Sequence, residues 1–410
     1  ENVNSCIKPF HAMGGTINVS ANNIYLAGVG NAVFAQSNGA GVSGEINLNA
    51  TGDVYLSTNT GVAVGAASLS EANTTSKVNI TGNNVTIESN GTGVSAYGQQ
   101  WQNGSDLKNN NSVSIIAEEK LEINAETALR ANNGSDGNDS GVKVDAKNIE
   151  ITGDITADKN GTITVGETKL EQAVINGNIT AKESSDIDIK LGENGSFTGS
   201  SVISDTDQNQ STIDLDMGNN STWNVTGDST VSTISGNGAT LSVDSTDRTI
   251  NVGTNNSTDL TLNGSSDVTN SFNIDNINQG MQELADVIEI TNGNKDITVT
   301  ADEGDVLGEI SAKTDANGNI IANSITEREN IATAGIGELA NVAFMAWRAE
   351  NDEMHQRMGE LRSSNGEAGI WARMKRGESK YGDMDIKNQY STYQLGYDEK
   401  VGDSNWYIGG

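Results

Sequence analysis

Pairs of apolar residues two positions apart recur in phase along the first part of the chain, and this recurrence limits the fold more than any other feature. Each set holds two or three such pairs: Ile17/Val19, Ile24/Leu26 and Val33/Ala35; Ile46/Leu48, Val54/Leu56 and Val62/Val64; Val78/Ile80, Val85/Ile87 and Val94/Ala96; Val113/Ile115 and Leu121/Ile123; Val142/Val144 and Ile149/Ile151. Successive sets start 29, 32, 35 and 29 residues apart. Apolar residues at a spacing of two are typical of strands with one buried face.

A nearly fixed step between sets, with variable insertions, predicts a stack of coils in which each coil covers the strand edges of its neighbour. We therefore predict an all-β fold, a right-handed parallel β-helix with three strands per coil and almost no helix over residues 15–265. Gly and Asn are expected at the corners, where left-handed backbone is needed. A β-sandwich would need longer strands and more than 4% aromatics, and a disordered tract would not keep the phase.

Later parts of the chain continue the pattern less regularly. The apolar positions there are Ile163/Val165, Val174, Ile179, Ile187/Ile189, then Trp223, Val225, Val231 and Ile234, then Leu241/Val243, Ile250/Val252 and Leu260/Leu262. The stretch 221–234, with Trp223 and Val225 near its start, resembles the C-terminal passenger segment of pertactin-like bacterial autotransporters.

Composition and charge exclude several classes of function. The net charge is −31, which argues against a nucleic-acid partner and against peripheral adsorption on anionic lipid, since both need clustered Lys and Arg. Cys6 is the only cysteine, so no internal disulfide and no cysteine-based zinc site are expected. The first residues show no signal-peptide pattern and no apolar run reaches membrane-spanning length, and we expect the chain to begin inside a longer protein.

A helical pattern replaces the strand pattern over residues 330–362. Its apolar positions recur at three and four residues: Leu339, Val342, Ala343, Ala346 and Trp347. Such a helix is long enough to cross a bilayer. Contact with lipid is disfavoured, however, by the charged and polar side chains of Glu338, Asn341, Arg348, Glu350 and Asp352. The pattern therefore predicts a helix enclosed by a polar sleeve.

The last residues alternate again with period two. Ile370, Ala372 and Met374 alternate with Trp371, Arg373 and Lys375; Tyr393, Leu395 and Tyr397 alternate with Gln394, Gly396 and Asp398; a third run starts at Trp406. This alternation is typical of outer-membrane β-barrel strands.

Residues 357–362, 369–377 and 393–397 resemble the opening of the autotransporter β-domain, in which a helix threads the barrel pore. The 45 residues from Gly366 to Gly410 suffice for about three of the roughly twelve strands that the resemblance implies, so a truncated antiparallel barrel is expected.

Catalytic and metal sites are poorly supported by the sequence. The nearest match to a serine-protease motif is Asp139-Ser140-Gly141, and the two histidines, His11 and His355, lie far apart in the chain. Arg130 and Arg248 are isolated, which disfavours a polysaccharide lyase. The loop with Asp136, Asn138 and Asp139 matches no calcium-loop pattern. We predict no catalytic, cofactor-binding or metal-binding residue and no enzymatic activity here.

The resemblance implies a type V secretion autotransporter, located in the outer membrane with its passenger on the cell surface. The predicted domains are a passenger β-helix (1–270), a C-terminal cap or junction (271–329), a linker helix (330–362) and the start of the barrel (363–410). The expected partners are outer-membrane lipid, the barrel-assembly machinery, an unidentified cell-surface receptor and other passenger copies; no nucleic acid is expected. The passenger is interpreted as an adhesive or structural stalk. The alternative is an enzyme whose active site lies upstream of Glu1.

Residues 350–362 resemble the cleavage helix of the enterobacterial serine protease autotransporters, which are cut between two adjacent asparagines inside the barrel. Asn351 matches the first asparagine and Asp352 replaces the second. Two hypotheses stay open: cleavage of the Asn351–Asp352 bond, and an uncleaved passenger in which Asn351 is simply a polar residue of the pore helix.

Overall fold

The structure is a computed structural model that describes residues 10–37, 42–68, 74–98, 110–132, 140–205, 210–333, 368–381 and 386–409, and residues 335, 336, 339, 342–345 and 347. The chain forms two units. The first contains Glu1–Gly304 and Glu309–Glu327, and the second contains Asp305–Gly308 and Arg328–Gly410.

The described strands of the first unit form one continuous sheet. In chain order they begin with β1 (Phe10–Met13), β2 (Gly15–Ala21), β3 (Ile24–Gly28), β4 (Val33–Gln36), β5 (Gly44–Ala50), β6 (Val54–Thr58), β7 (Val62–Ser68), β8 (Lys77–Gly98), β9 (Ser112–Asn132), β10 (Ser140–Asp145), β11 (Asn148–Asp158), β12 (Gly161–Val165) and β13 (Gln172–Asn176). They continue with β14 (Ile179–Lys182), β15 (Asp186–Lys190), β16 (Ser196–Gly199), β17 (Ser201–Ile203), β18 (Thr212–Met217), β19 (Thr222–Val225), β20 (Ser229–Gly236), β21 (Thr240–Val243), β22 (Ile250–Asn255), β23 (Thr261–Gly264), β24 (Ile288–Gly293), β25 (Thr298–Ala301), β26 (Ile310–Lys313) and β27 (Thr326–Glu327).

The strands wind into coils with three sides, and each described strand up to β25 pairs in parallel with an equivalent strand of an adjacent coil. The first side starts with β2, the second with β3 and the third with β1 and β4. Within the described residues no α-helix occurs before residue 266. The predicted parallel β-helix is therefore confirmed, because each coil supplies the hydrogen-bonding edge that the next coil needs.

The second side contains an unbroken ladder of large apolar side chains, one from each coil. In register they are Leu26, Leu56, Ile87, Ile123, Ile151, Ile175, Phe197, Trp223, Leu241, Leu262 and Val299. All are buried. Trp223 stacks on Phe197 with ring centroids 5.3 Å apart, and its indole Nε1 donates to the Gly199 carbonyl at 3.0 Å. Burial of this ladder is the main hydrophobic contribution of the second side.

The third side contains a ladder of alanines from β1 to β14. In register they are Ala12, Ala35, Ala66, Ala96, Ala131, Ala157 and Ala181. All are buried, and the next residue in register is Ile203. Because protein interiors are close-packed, a small residue at one position of each of these coils leaves room for the Leu and Ile side chains of the other sides.

The structure corrects two details of the predicted pairing. Val33 pairs with Val64 and Ala35 with Ala66, whereas the sequence pattern aligned them with Val62 and Val64. A shift of two residues leaves the same side chains pointing inward, so the apolar pattern does not distinguish the two registers. Val174 is half-buried and points outward, and its neighbours Ala173 and Ile175 fill the core instead.

Glycines form one corner of the coils, as predicted. Gly153 and Gly177 have φ of 121° and 151°, and a Cβ on Gly177 would collide with the Gly153 carbonyl of the neighbouring coil. Asn194 and Asn220, with φ of 54° and 56°, take left-handed backbone at other turns. Left-handed backbone and close stacking at these turns explain the Gly- and Asn-rich composition.

A helical insertion that the sequence pattern did not predict separates β23 from β24. It contains α1 (Ser266–Ser271), a 3₁₀ turn (Ile274–Asn276) and α2 (Ile277–Ala285). Val268 of α1 and Met281 and Leu284 of α2 are buried. The boundary expected at residue 270 falls inside this insertion, and the parallel ladders continue beyond it to Ala301.

The C-terminal end of the second side is closed by antiparallel strands. β26 pairs antiparallel with β25, and β27 pairs antiparallel with β26. A second 3₁₀ turn covers Ala322–Ser324. An antiparallel strand occupies the edge that another parallel coil would use, and so ends the stack on this side.

The second unit contains helical residues followed by a strand hairpin. Residues 331–333, 335, 336, 339, 342–345 and 347 are helical. Asn330 caps their start, its Oδ1 accepting from the backbone N–H groups of Ala332 (2.8 Å) and Thr333 (3.0 Å). The remainder of the predicted linker helix, through residue 362, lies outside the described residues. The strands β28 (Ala368–Tyr381), β29 (Ile386–Lys400) and β30 (Tyr407–Gly409) form an antiparallel sheet.

Candidate functional site

The outer surface of the solenoid is built from stacked polar side chains. On the first side, Asn47 Nδ2 donates to Asn18 Oδ1 and Asn79 Nδ2 donates to Asn47 Oδ1, each at 2.8 Å. Thr81 donates its hydroxyl to Asn49 Oδ1 at 3.0 Å in the same coils. The Asn-x-Ser/Thr triplets 18–20 and 79–81 are thus outward rungs of the ladder, and the amide of each is hydrogen-bonded to Asn47 of the coil between them.

Ion pairs join the middle coils at their outer corner. Lys120 Nζ contacts carboxylate oxygens of Glu122 at 3.0 Å and of Glu150, one coil further, at 2.8 Å. Hydrogen bonds to Glu150 and Glu122 raise the pKa of Lys120. Lys147 pairs with Glu119 at 2.7 Å. These side chains are substantially exposed, so each pair contributes only a few tenths of a kcal/mol, up to about 1.

Two carboxylates lie directly opposite each other on the outer surface of the first side. Asp188 of β15 is in register with Asp214 of β18. Burial is the largest cause that raises the pKa of Asp188, and the charges of Asp214 and Asp186 raise it further. A shallow groove of about 300 Å³ runs beside the pair and is also lined by Lys190 and Asp216. The arrangement makes Asp188 easier to protonate in the folded chain than in the unfolded chain.

The hairpin of the second unit gathers its apolar side chains on one face. The register pairs Ile370 with Tyr397, Ala372 with Leu395 and Met374 with Tyr393. These side chains are exposed: the exposed fraction is 80% for Ile370 and 75% for Leu395. We call this surface the apolar hairpin face. The apolar surface is contiguous. The backbones of β28 and β29 pair with each other along its whole length.

The opposite face of the hairpin is polar and more enclosed. Trp371, Arg373 and Lys375 are half-buried there. Lys375 Nζ lies 5.6 Å from the ring centroid of Tyr390, a cation–π arrangement. The predicted alternation of apolar and polar side chains is therefore present in both strands, and the register brings the two apolar series to the same side.

The predicted cleavage residues Asn351 and Asp352 lie outside the described residues, as do His355 and the acidic loop with Asp136, Asn138 and Asp139. His11 Nε2 lies 3.2 Å from Gln36 Oε1, and its ring contacts Phe34. Ser140 is fully buried at the start of β10.

Arg248 is bound to Asp244 at 3.1 Å. Within the described residues, no three His, Cys, Asp or Glu side chains lie close enough together to bind one metal ion. Among the helical segments that the structure describes, none is both long enough and apolar enough to cross a lipid bilayer.

Sequence reasoning missed the Asp188–Asp214 pair. The signal was present in the strands Asp186–Lys190 and Thr212–Met217, where acidic residues alternate with apolar ones in the same phase. Only the register, which depends on the loop between the strands, places the two carboxylates side by side.

No known protein-family profile matches the chain. Among solved structures, the chain is similar to the autotransporter UpaB from E. coli strain CFT073, with 16% sequence identity and a TM-score of 0.36; the match covers 76% of this chain and 90% of that chain.

Proposed function

We propose that the chain is part of a bacterial autotransporter, in which an outer-membrane β-domain exports and anchors a surface-displayed β-helical passenger. The observation that carries the proposal is the apolar hairpin face, which follows a long polar-surfaced β-helix in the same chain. A sheet that exposes Ile370, Leu395 and Tyr397 on one side is stable only if that side meets lipid or another apolar surface. The resemblance of residues 357–362, 369–377 and 393–397 to the opening of the autotransporter β-domain supports lipid as the surface that this side meets.

The passenger acts as a structural stalk with an adhesive role at the cell surface. Support comes from its outer surface, where amide ladders and ion pairs join coil to coil. Folding is coupled to export: coils stack from the C-terminal end outward, each on the strand edge of the coil before it. The partners are outer-membrane lipid, the barrel-assembly machinery, a receptor on another cell and other passenger copies.

The linker between the two parts permits two fates for the passenger. In the first, the passenger stays attached; in the second, Asn351 cyclises on its own carbonyl and releases a chain that begins at Asp352. Mass spectrometry of the full-length protein in an outer membrane distinguishes them. An intact chain that is unchanged by Asn351→Ala contradicts release, and a new N-terminus at Asp352 that Asn351→Ala abolishes contradicts permanent attachment.

The membrane role is tested by placing a charge on either face of β29. Leu395→Arg puts a guanidinium on the apolar hairpin face, where contact with hydrocarbon costs about 2–4 kcal/mol. We expect it to reduce sharply the fraction of protein recovered in the outer membrane. The matched control is Gln394→Glu, one residue away on the polar face and opposite Arg373 in the register, which should assemble normally.

Assembly is measured by density fractionation of the cell envelope and by protease sensitivity of the passenger on intact cells. Equal assembly of both variants would show that the apolar hairpin face does not meet lipid. Loss of both would show that β29 tolerates no charge on either face, and would equally contradict the proposal.

A further inference from the structure

The turn end of the hairpin carries basic side chains on the same face as the apolar ones. In the register, the Met374–Tyr393 pair is followed on this face by Arg376 opposite Ser391, then by Glu378 opposite Gln389, then by Lys380 opposite Lys387. Arg376, Lys380 and Lys387 are all exposed. The apolar hairpin face therefore ends abruptly and is continued by a basic surface, which we define as Arg376, Lys380 and Lys387.

The charges of this basic surface are not neutralised by the described residues. None of its three members forms an ion pair with them, and the carboxylate of Glu378 accepts a hydrogen bond from Gln389 Nε2 at 2.9 Å. Lys380 and Lys387 are direct cross-strand partners, and like charges in such positions destabilise a sheet. An anion bound between them would remove this repulsion.

The location of the basic surface indicates which anion it meets. At about 3.4 Å per residue, Arg376 and Lys380 lie roughly 7 and 20 Å beyond Met374 along the strand. These positions border the apolar hairpin face, where the hydrocarbon of a bilayer would give way to its headgroups. Basic side chains at that depth are attracted to anionic lipid.

We propose that Arg376, Lys380 and Lys387 bind the phosphate groups of anionic lipid headgroups around the hairpin. The inference rests on the proposed membrane role of the hairpin. It also reconciles the local surface with the net charge of −31: the acidic chain as a whole is repelled by anionic lipid, and the hairpin supplies local attraction beside the bilayer.

The test uses the full chain with phosphatidylcholine vesicles that contain or lack phosphatidylglycerol. Quenching of tryptophan fluorescence by lipid brominated in its acyl chains reports insertion, because Trp371 lies in β28 and Trp406, just before β30, is exposed, whereas Trp223 of the solenoid is buried. Flotation then measures affinity for each vesicle type, at low and at high salt.

Replacing Arg376, Lys380 and Lys387 by Gln should lower the affinity for anionic vesicles roughly a hundredfold at low salt and leave that for neutral vesicles unchanged. High salt should remove the difference. The matched control replaces Lys77, Lys182 and Lys313, three exposed lysines of the solenoid, by Gln. It carries the same change of net charge and should bind anionic vesicles as the parent chain does. The charge-conserving Lys380→Arg/Lys387→Arg variant should also bind as the parent does.

Every variant leaves Asp383 and Asp385 unchanged. Insertion without a difference between the hairpin variant and the parent, or an equal loss in the control, would overturn the headgroup proposal and leave the membrane role standing. Absence of insertion in every vesicle type would overturn the membrane role itself, and the inference with it.

Discussion

The solenoid and the hairpin use the same period-two alternation and place it in opposite surroundings. In the solenoid, Val85 and Leu121 are fully buried because the other two sides of each coil cover them. In the hairpin, Ile370 and Leu395 are largely exposed, and no second layer covers them within the described residues. The alternation therefore determines which side chains share a face, and the medium that this face meets depends on what packs against it.

The strongest test of the buried half of this comparison is a charge in the solenoid core. Val85→Asp buries a carboxylate without a partner, and we expect a loss of at least about 4 kcal/mol in the free energy of unfolding. Asn83→Asp, two residues away in a partly exposed position, should change it by less than about 1 kcal/mol. Urea denaturation followed by circular dichroism measures both. Similar midpoints for the two variants would show that the assigned inward phase is wrong.

A second test compares two tryptophans, one from each region. Trp223→Ala removes the ring stacked on Phe197 and opens a cavity, at an expected cost of about 3–5 kcal/mol. Trp406→Ala removes a side chain that is 77% exposed and should alter the free energy of unfolding, measured by urea denaturation in detergent, by no more than about 0.5 kcal/mol. A large effect of Trp406→Ala on the solenoid transition would contradict the assignment of Trp406 as an exposed side chain.

The smallest expected effect concerns the outer surface of the solenoid. The pKa of Asp188 is raised in the folded state, so the folded chain binds this proton more tightly than the unfolded chain. Its stability then falls as the pH rises from about 3.9, the unfolded value, through the folded pKa. Asp188→Asn should stabilise the chain by about 0.2–1 kcal/mol at neutral pH, and the gain should vanish below pH of about 3.9.

The control for this prediction is Asp186→Asn. Asp186 accepts a hydrogen bond from the Thr212 hydroxyl at 2.8 Å and faces Thr212 rather than a carboxylate in the register. Because the charge of Asp186 contributes less to the raised pKa of Asp188 than that of Asp214 does, Asp186→Asn should show a smaller gain at neutral pH than Asp188→Asn. Urea midpoints of both variants and the parent are measured across the acidic pH range. A gain for Asp188→Asn that does not depend on pH would show that it does not come from removing the repulsion between the two carboxylates.

Most coils of the solenoid could be predicted because their evidence is local. Trp223, Val225, Val231 and Ile234 are all buried, as their spacing predicted. The helical insertion after residue 265 was not predicted. Its residues Val268, Met281 and Leu284 are scattered among polar ones, and each element is short, so the periodicity is weak. The antiparallel end of the second side was missed for a similar reason, since β26 and β27 have four and two residues.

The sequence by itself determined the coil, its three sides and the inward or outward direction of most strand residues, because alternation is a property of neighbouring residues. Only the tertiary structure decided the pairings between coils: Val33 with Val64, the alanine ladder, Asp188 beside Asp214, and the two apolar series of the hairpin on one face. The physical reason is the period of two itself. A slip of two residues keeps every side chain on its side, so the choice among such registers depends on the corners and loops and on how the side chains of adjacent coils fill the space between them.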